Sequence, residues 1–319
     1  MNSANSPANP AAQPAIAIDA TTGFYSPVSF LTRNLDACAQ DFADDLCDEL
    51  AQGKAEIFDG GHGIAIVFRK LGWDTNFFGT PTFRVDYTSV PAGVPLTAVQ
   101  QAFGALRAHL STLAPAYYLF AEVPSEDTTA IAGMSGNGWR MIETRITCFR
   151  DDLQQFTADG LPPVRSAVAD DIPALRLAAM EAVNVYDRFH ADDFFTPQQA
   201  DDFLAIFVEN SVKEGYADEV IVPADGPANA FLTGNYMATP PALGERKLGK
   251  MVLSAVTPAR RGWYVKLIGA LSLKFKERGI DTAFMTTQAT NRAVLKVWFH
   301  HGYRFGRCTH IFSTYIKQA

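Results

Sequence analysis

Four cysteines, Cys38, Cys47, Cys148 and Cys308, are spread over 319 residues. They form no CxxC pair and have no histidine at ligand spacing, so reduced, mostly buried thiols are expected and no metal site. No apolar run approaches the roughly 18 residues that a membrane span needs. Positive charge is in the minority, with 27 Lys and Arg against 34 Asp and Glu. That argues against a binder of nucleic-acid polymers or anionic membranes, which need a broad basic field. The first 15 residues have neither a basic start nor an apolar block. Segment 1–27 is therefore expected as a disordered lead-in and not a signal peptide, with the cytoplasm as the default location.

What is present suffices for roughly two domains of ordinary size, since 48% of the residues are hydrophobic. The C-terminal third reads as a strand over 249–256, a turn and helix, a strand over 282–288, a helix over 291–301 and a strand over 303–316. Shifted back by 164 positions, the same order recurs. Gly302-Tyr303 falls on Gly138-Trp139, Asn291 falls on Asp127, and the helix after Gly262 falls on one over about 98–113. A strand, a helix, an Asx cap and a Gly-aromatic helix exit in one register point to a tandem duplication. The Asp, Gly and Pro content of 151–164 suits the linker between the copies.

The stretch VTPARRGWYVKLIGALSLKFKERG, 256–279, concentrates basic charge in an acidic chain. Pro258 stops the preceding strand, Gly262 permits a turn that residues with a Cβ resist, and helical spacing begins at once. The free N–H groups of the first helical turn make such a corner an anion site, and phosphate fits it. Arg260 and Arg261 add charge at the end where the helix dipole does not call for it, which suggests a ligand; Lys274, Lys276 and Arg278, at the other end, suit the dipole.

VTPARRGWYVKLI followed by TTQATNRAVLKVWFHHGYRFG resembles the coenzyme A half of the GNAT superfamily of acyl-CoA-dependent N-acyltransferases. The resemblance implies an α/β fold, a mixed sheet with flanking helices. It implies that backbone amides at the Gly262 turn hold the CoA pyrophosphate, and that Asn291 and Gly302-Tyr303 occupy family positions. Tyr264 stands where the family has Gly or Ala, and Ala259 where it has Gln or Arg. On this resemblance the CoA-binding set is Leu253, Ala255, Val256, Arg260, Arg261, Gly262, Trp263, Tyr264, Val265, Asn291 and Trp298. Acetyl-CoA or another acyl-CoA is the expected cosubstrate.

LGWDTNFFGTPTFRVD and DRFHADDFFTPQQADDFLAIFVENSV are similar to segments of two-lobe GNAT enzymes related to dTDP-fucosamine acetyltransferase. That similarity implies a degenerate N-terminal lobe over 28–155 and a CoA-binding lobe over 164–319. PLTAVQQ, at the first-lobe position of the anion turn, has no basic residue and no glycine. The similarity also implies an acceptor site of Arg188, Phe189, Asp192, Trp73 and Asp74, with a nucleotide-linked amino sugar as the leading acceptor. An amino acid, peptide or antibiotic amine, or a catalytically silent acyl-CoA-binding protein, are the alternatives; a homodimer stays open. The family's tyrosine acid is replaced by Trp298, and its glutamate on the central strand is absent from GKMVLSAV. His190, which titrates near neutrality, is the expected base, and Tyr236 the expected acid. His300, His301 and His310 are expected to be structural or exposed.

Overall fold

The computed structural model describes residues 16–182 and 184–317. The N-terminal half comprises α1 (Thr22–Tyr25), α2 (Leu35–Ala51), β1 (Glu56–Asp59), β2 (Ala65–Lys70), α3 (Gly72–Phe78), β3 (Thr82–Ser89), α4 (Leu96–Leu113), β4 (Tyr117–Pro124), α5 (Thr128–Ser135) and β5 (Arg140–Arg150). The C-terminal half follows with β6 (Val164–Ser166), α6 (Ile172–Glu181), α7 (Arg188–Ala191), α8 (Pro197–Lys213), β7 (Glu219–Pro223), β8 (Ala230–Met237), β9 (Leu248–Val256), α9 (Trp263–Glu277), β10 (Thr282–Gln288), α10 (Arg292–His300) and β11 (Arg304–Ile316).

The repeat seen in sequence extends to single hydrogen bonds. Asp127 caps α5 by accepting from Ala130 N, and Asn291 caps α10 by accepting from Val294 N, each satisfying an amide that the helix leaves open. Both helices are followed by a left-handed glycine, Gly138 at φ 72 and Gly302 at φ 74. At each exit an arginine of the N-terminal half donates to the carbonyl just before that glycine: Arg107 of α4 to Asn137 O at 2.6 Å and Arg150 of β5, across the halves, to His301 O at 2.7 Å.

The eleven strands among the described residues form one sheet, in the order β1-β2-β3-β4-β11-β5-β10-β9-β8-β7-β6. The halves are interleaved at its centre. The final strand of the second copy, β11, pairs antiparallel with β4 of the first, and β5 of the first pairs antiparallel with β10 of the second. β5 and β11 also pair with each other, antiparallel. The order reads alike outward from that central pair, with β3 parallel to β4 on one side and β9 parallel to β10 on the other. The chain is thus two related α/β lobes joined by reciprocal strand exchange.

Each copy builds its core under the helices that follow its parallel strands. Phe103, Leu106 and Leu110 of α4 pack on β2, β3 and β4; Leu267, Leu271 and Phe275 of α9 pack on β8, β9 and β10. The opposite face carries α6 and α8 over β7, β8 and β9, and the N-terminal segment elsewhere, where Phe30 meets Phe149 and Phe284 at 5.3 and 5.7 Å.

The expected lead-in needs correction over its described part. Residues 16–27 are folded against the first lobe: Thr22 is buried and shares a 2.6 Å hydrogen bond with Tyr87, and Tyr25 donates to Asp127 at 2.7 Å. Residues 1–15 lie outside the described residues. Among the described residues all four cysteines are free; Cys38 and Cys148 are buried, Cys308 is half-buried and Cys47 is exposed. No helix is long and apolar enough to cross a membrane, and no cluster of His, Cys, Asp and Glu is placed to hold a metal ion among the described residues.

Candidate functional site

β9 and β10 share register only from Leu248↔Thr282 to Met251↔Met285, and beyond it they part. A bulge accompanies the divergence. Met251 to Ser254 of β9 span only Gly234 to Leu232 of β8, so β9 carries an extra residue at Val252–Leu253 and bends. Thr233 closes the bulge, accepting from Leu253 N at 2.9 Å and donating to Leu253 O at 3.2 Å. Farther along, Thr257 N donates to Asn229 O at 3.2 Å. Peptide groups alternate between the edges of a strand. The amides of Leu253, Ala255 and Thr257 therefore face β8, while those of Ser254 and Val256 face the gap. The backbone of Val256 is thus turned to the gap, whereas Leu253 and Ala255, whose backbones are turned to β8, line the opening with their side chains.

A cavity of about 690 Å³ runs through the gap. On one face of the sheet it is walled by Tyr264, Val265 and Ile268 of α9 and by Val294, Val297 and Trp298 of α10; on the other by Ala179, Phe189, Phe203, Leu204 and Phe207. Gly262 opens it at the α9 end with φ 89 and ψ −5, a conformation that a Cβ strains. No atom stands within 4 Å of where that Cβ would be. Gly262, Tyr264, Val265, Asn291 and Trp298 all line the cavity. Asn291, besides its cap, donates from Nδ2 to Thr287 at 3.2 Å. Trp298 Nε1–H donates to the Tyr264 hydroxyl at 2.8 Å, so the tryptophan packs across the gap from the tyrosine. Burial raises the Tyr264 hydroxyl well above the ordinary tyrosine range, so it stays protonated.

Two of the basic-turn expectations are corrected. The Arg260 guanidinium is engaged with the β7–β8 loop, donating to Asn229 Oδ1 at 2.9 Å and to the Asp225 carbonyl. Trp263 is buried in the core with Leu267 and Ile268. Only Arg261, exposed at the turn, keeps its charge at the mouth.

On the acceptor side Arg188 and Phe189 line the cavity. Arg188 is 8% exposed, and its guanidinium lies 3.9 Å from the centre of the Phe120 ring and 4.3 Å from that of Phe189. Burial pulls its pKa down. An unpaired ion of this size costs several kcal/mol to bury, and each aromatic face offsets about 0.5–2 kcal/mol.

The remaining expectations are corrected. His190 is not in the cavity wall: Nδ1 meets Asp187 Oδ2 at 2.8 Å and Nε2 meets Asp201 Oδ1 at 3.1 Å, so both ring nitrogens clamp α7 to α8. Tyr236 lies on β8 opposite the closed end of β9, donating to Glu219 Oε1 at 2.7 Å. Asp192 is buried, accepting from Tyr118 at 3.0 Å, from Arg140 at 2.8 Å and from Ser313; it ties α7 to the exchanged strands. Trp73 stacks on Phe77 at 5.2 Å and 7° within the aromatic packing between α3 and α8. Asp74 is half-buried outside the wall; burial raises its carboxyl, and the Arg188 charge opposes that rise.

His190→Gln is expected to cost about 1–3 kcal/mol, the range for hydrogen bonds to charged groups and for the carboxylates left behind. A thermal melt checks this against turnover. A hundredfold loss of turnover at an unchanged melting temperature would restore His190 as the base.

Residues that sequence reasoning missed complete the acceptor side. Glu143 and Arg145 come from β5, the strand lent by the first lobe, and Lys250 from β9. Glu143 accepts from Arg145 at 3.0 and 3.1 Å and from Gln288 at 2.8 Å. Burial lowers the Lys250 ammonium, with Glu122 opposing. The signal was there: RMIETRITCFR sets Glu143 and Arg145 two apart on one face of a strand otherwise fit for a core.

No protein-family model and no curated protein matches the chain. Solved structures do. A GCN5-related N-acetyltransferase from Sphaerobacter thermophilus is 16% identical, covering 80% of this chain and 78% of its own, with a TM-score of 0.50. A functionally unknown conserved protein from Staphylococcus epidermidis is 10% identical over 78% of this chain and 90% of its own, also at 0.50. A tandem GNAT protein from the clavulanic acid biosynthesis pathway is 15% identical over 80% of each chain, at 0.49. The likeness to the first of these, a GCN5-related N-acetyltransferase, is one of fold.

Proposed function

We propose that this GNAT-type fold serves acyl transfer from acyl-CoA, most simply acetyl-CoA, to the amine of a small molecule, with the C-terminal lobe alone holding the CoA. One observation carries the reading. The gap between parallel strands, the left-handed Gly262 turn and the first turn of the 15-residue α9 open onto one cavity. In the first lobe the residue before α4 is an extended Pro95, and the left-handed glycine there, Gly93 at φ 82, lies two residues farther from the helix start.

The residues present fit the group. The N–H groups of the first turn of α9 and the Arg261 charge suit a pyrophosphate, and the amides of Ser254 and Val256 offer an edge along which an amide-bearing arm pairs as a strand would. The thioester carbonyl gains negative charge as the amine attacks, and preorganised donors at the bulged strand stabilise it. Glu143 and Asp187 are carboxylates of the cavity wall and, although Glu143 accepts from Arg145 and Gln288 and Asp187 from His190, a carboxylate keeps further lone pairs to take the amine's proton. His190 has both ring nitrogens engaged and is not in the wall. Tyr264, protonated and beside Trp298, is the donor available to the departing thiolate. A nucleotide-linked amino sugar is the finer acceptor reading; the wall of Phe189, Phe203, Leu204 and Phe207 favours an acceptor with an apolar body.

Thiol release from acetyl-CoA, followed over a panel of amines, tests the reading. Turnover with at least one amine class is expected, and a several-fold slower release in Tyr264→Phe. CoA binding by calorimetry without turnover on any amine would leave a silent acyl-CoA-binding protein in its place.

A further inference from the structure

The charges of the acceptor cavity are unequal in one respect. Arg145 is answered by Glu143 at 3.0 Å and by Glu122 at 3.2 Å. Arg188, in the same wall, makes no ion pair and no side-chain hydrogen bond among the described residues, and its Nε is a buried donor without a partner. Asp74 and Glu143 act on it only from beyond ion-pair distance. Its plane is fixed from two lobes, by Phe120 of β4 and Phe189 of α7. A guanidinium held so is oriented before any ligand arrives, and its unused N–H groups make a fork suited to two oxygens. Where the sheet supplies no carboxylate, the ligand is the remaining source.

We infer that Arg188 receives an anionic group, a carboxylate or a phosphate, carried by the amine acceptor, whose apolar body lies against Phe189, Phe203 and Phe207. This rests on the acyl-transfer reading above and names the acceptor class for the same site. Discrimination follows from the same chemistry: an acceptor without the anion leaves the buried Nε donor unanswered, and sites built around a hydrogen-bonding partner reject its absence strongly. Arg188 is a binding and positioning residue, and the bonds made and broken in acyl transfer do not involve it.

Matched acceptors provide the test. Thiol release from acetyl-CoA is compared for phenylalanine against 2-phenylethylamine, and for O-phosphoethanolamine against ethanolamine. The anionic member of one pair is expected to exceed its neutral partner by about 10²-fold or more in kcat/KM, and the pair that responds tells carboxylate from phosphate. In Arg188→Gln that advantage collapses, chiefly through KM, while Arg188→Lys restores part of it. Equal use of neutral and anionic partners by the unaltered protein, or an advantage that survives Arg188→Gln, overturns the inference. Binding separates its failure from that of the acyl-transfer reading. Calorimetry with the unreactive 3-phenylpropionate and phenylphosphonate, against neutral 3-phenylpropanamide, needs no turnover. Anion binding lost in Arg188→Gln but without thiol release from any amine keeps the anion site and removes the transferase. Relief of an unpaired buried charge is expected to leave the melting temperature of Arg188→Gln and Arg188→Met unchanged or higher. A marked fall in both, with no selective loss of anion binding, assigns Arg188 to structure and overturns the inference.

Discussion

Residues 16–155 and 164–317, produced as separate chains, are expected to fail as folded monomers and to recover CoA binding only when combined. The exchanged strands decide this. Without the second half, β4 loses its partner from Tyr117↔Ile316 to Pro124↔Thr309; without the first, β10 loses its partner from Ala283↔Arg150 to Gln288↔Arg145. Each half then presents a long unpaired edge in the middle of what was a sheet, which invites self-pairing. The second half also loses Glu143 and Arg145 from its cavity. Size-exclusion chromatography, circular dichroism and calorimetry of each half and of the mixture test it. A C-terminal half that folds as a monomer and binds CoA like the whole chain would refute it.

Gly262→Asp is expected to raise the CoA dissociation constant by about 10²-fold or more, with little change in melting temperature beyond the strain. A residue with a Cβ at φ 89 costs about 1–3 kcal/mol, part of which falls on the bound state if the turn relaxes away from its left-handed form. The carboxylate adds repulsion toward a pyrophosphate at the same corner. Gly262→Ala separates the two, since it carries the strain without the charge, and the space around the position holds no clash. Affinity unchanged in both variants would place the anion elsewhere.

The repeat was legible because caps and helix exits are local. Asp127, Asn291, Gly138 and Gly302 act on amides and carbonyls within a turn of themselves, so the sequence holds all the information they use. Strand exchange was not legible, because hydrophobic alternation tells which face of β5 or β11 is buried but not which strand lies alongside. The site divides on the same line. Gly262, Val265, Asn291 and Trp298 line the cavity, and a turn, a helix start and a helix face fix them locally. Arg260, His190 and Tyr236 were assigned to ligand or chemistry because their true partners, Asn229, Asp201 and Glu219, are brought to them by tertiary structure. Arg188 is the converse case: a partner is missing, and only a structure can show that.

The reciprocal exchange also sets a timetable for synthesis. β11 begins about 180 residues after β4 ends, and at roughly 5–20 residues per second the ribosome needs about 10–40 s to bridge that distance. Throughout this interval β4 is made but its outer edge has no partner other than β5, its neighbour's neighbour in the finished protein. A nascent first lobe that closes β5 directly onto β4 must reopen to admit β11. β11, the last strand to be made, is therefore also the last that the centre of the sheet can receive.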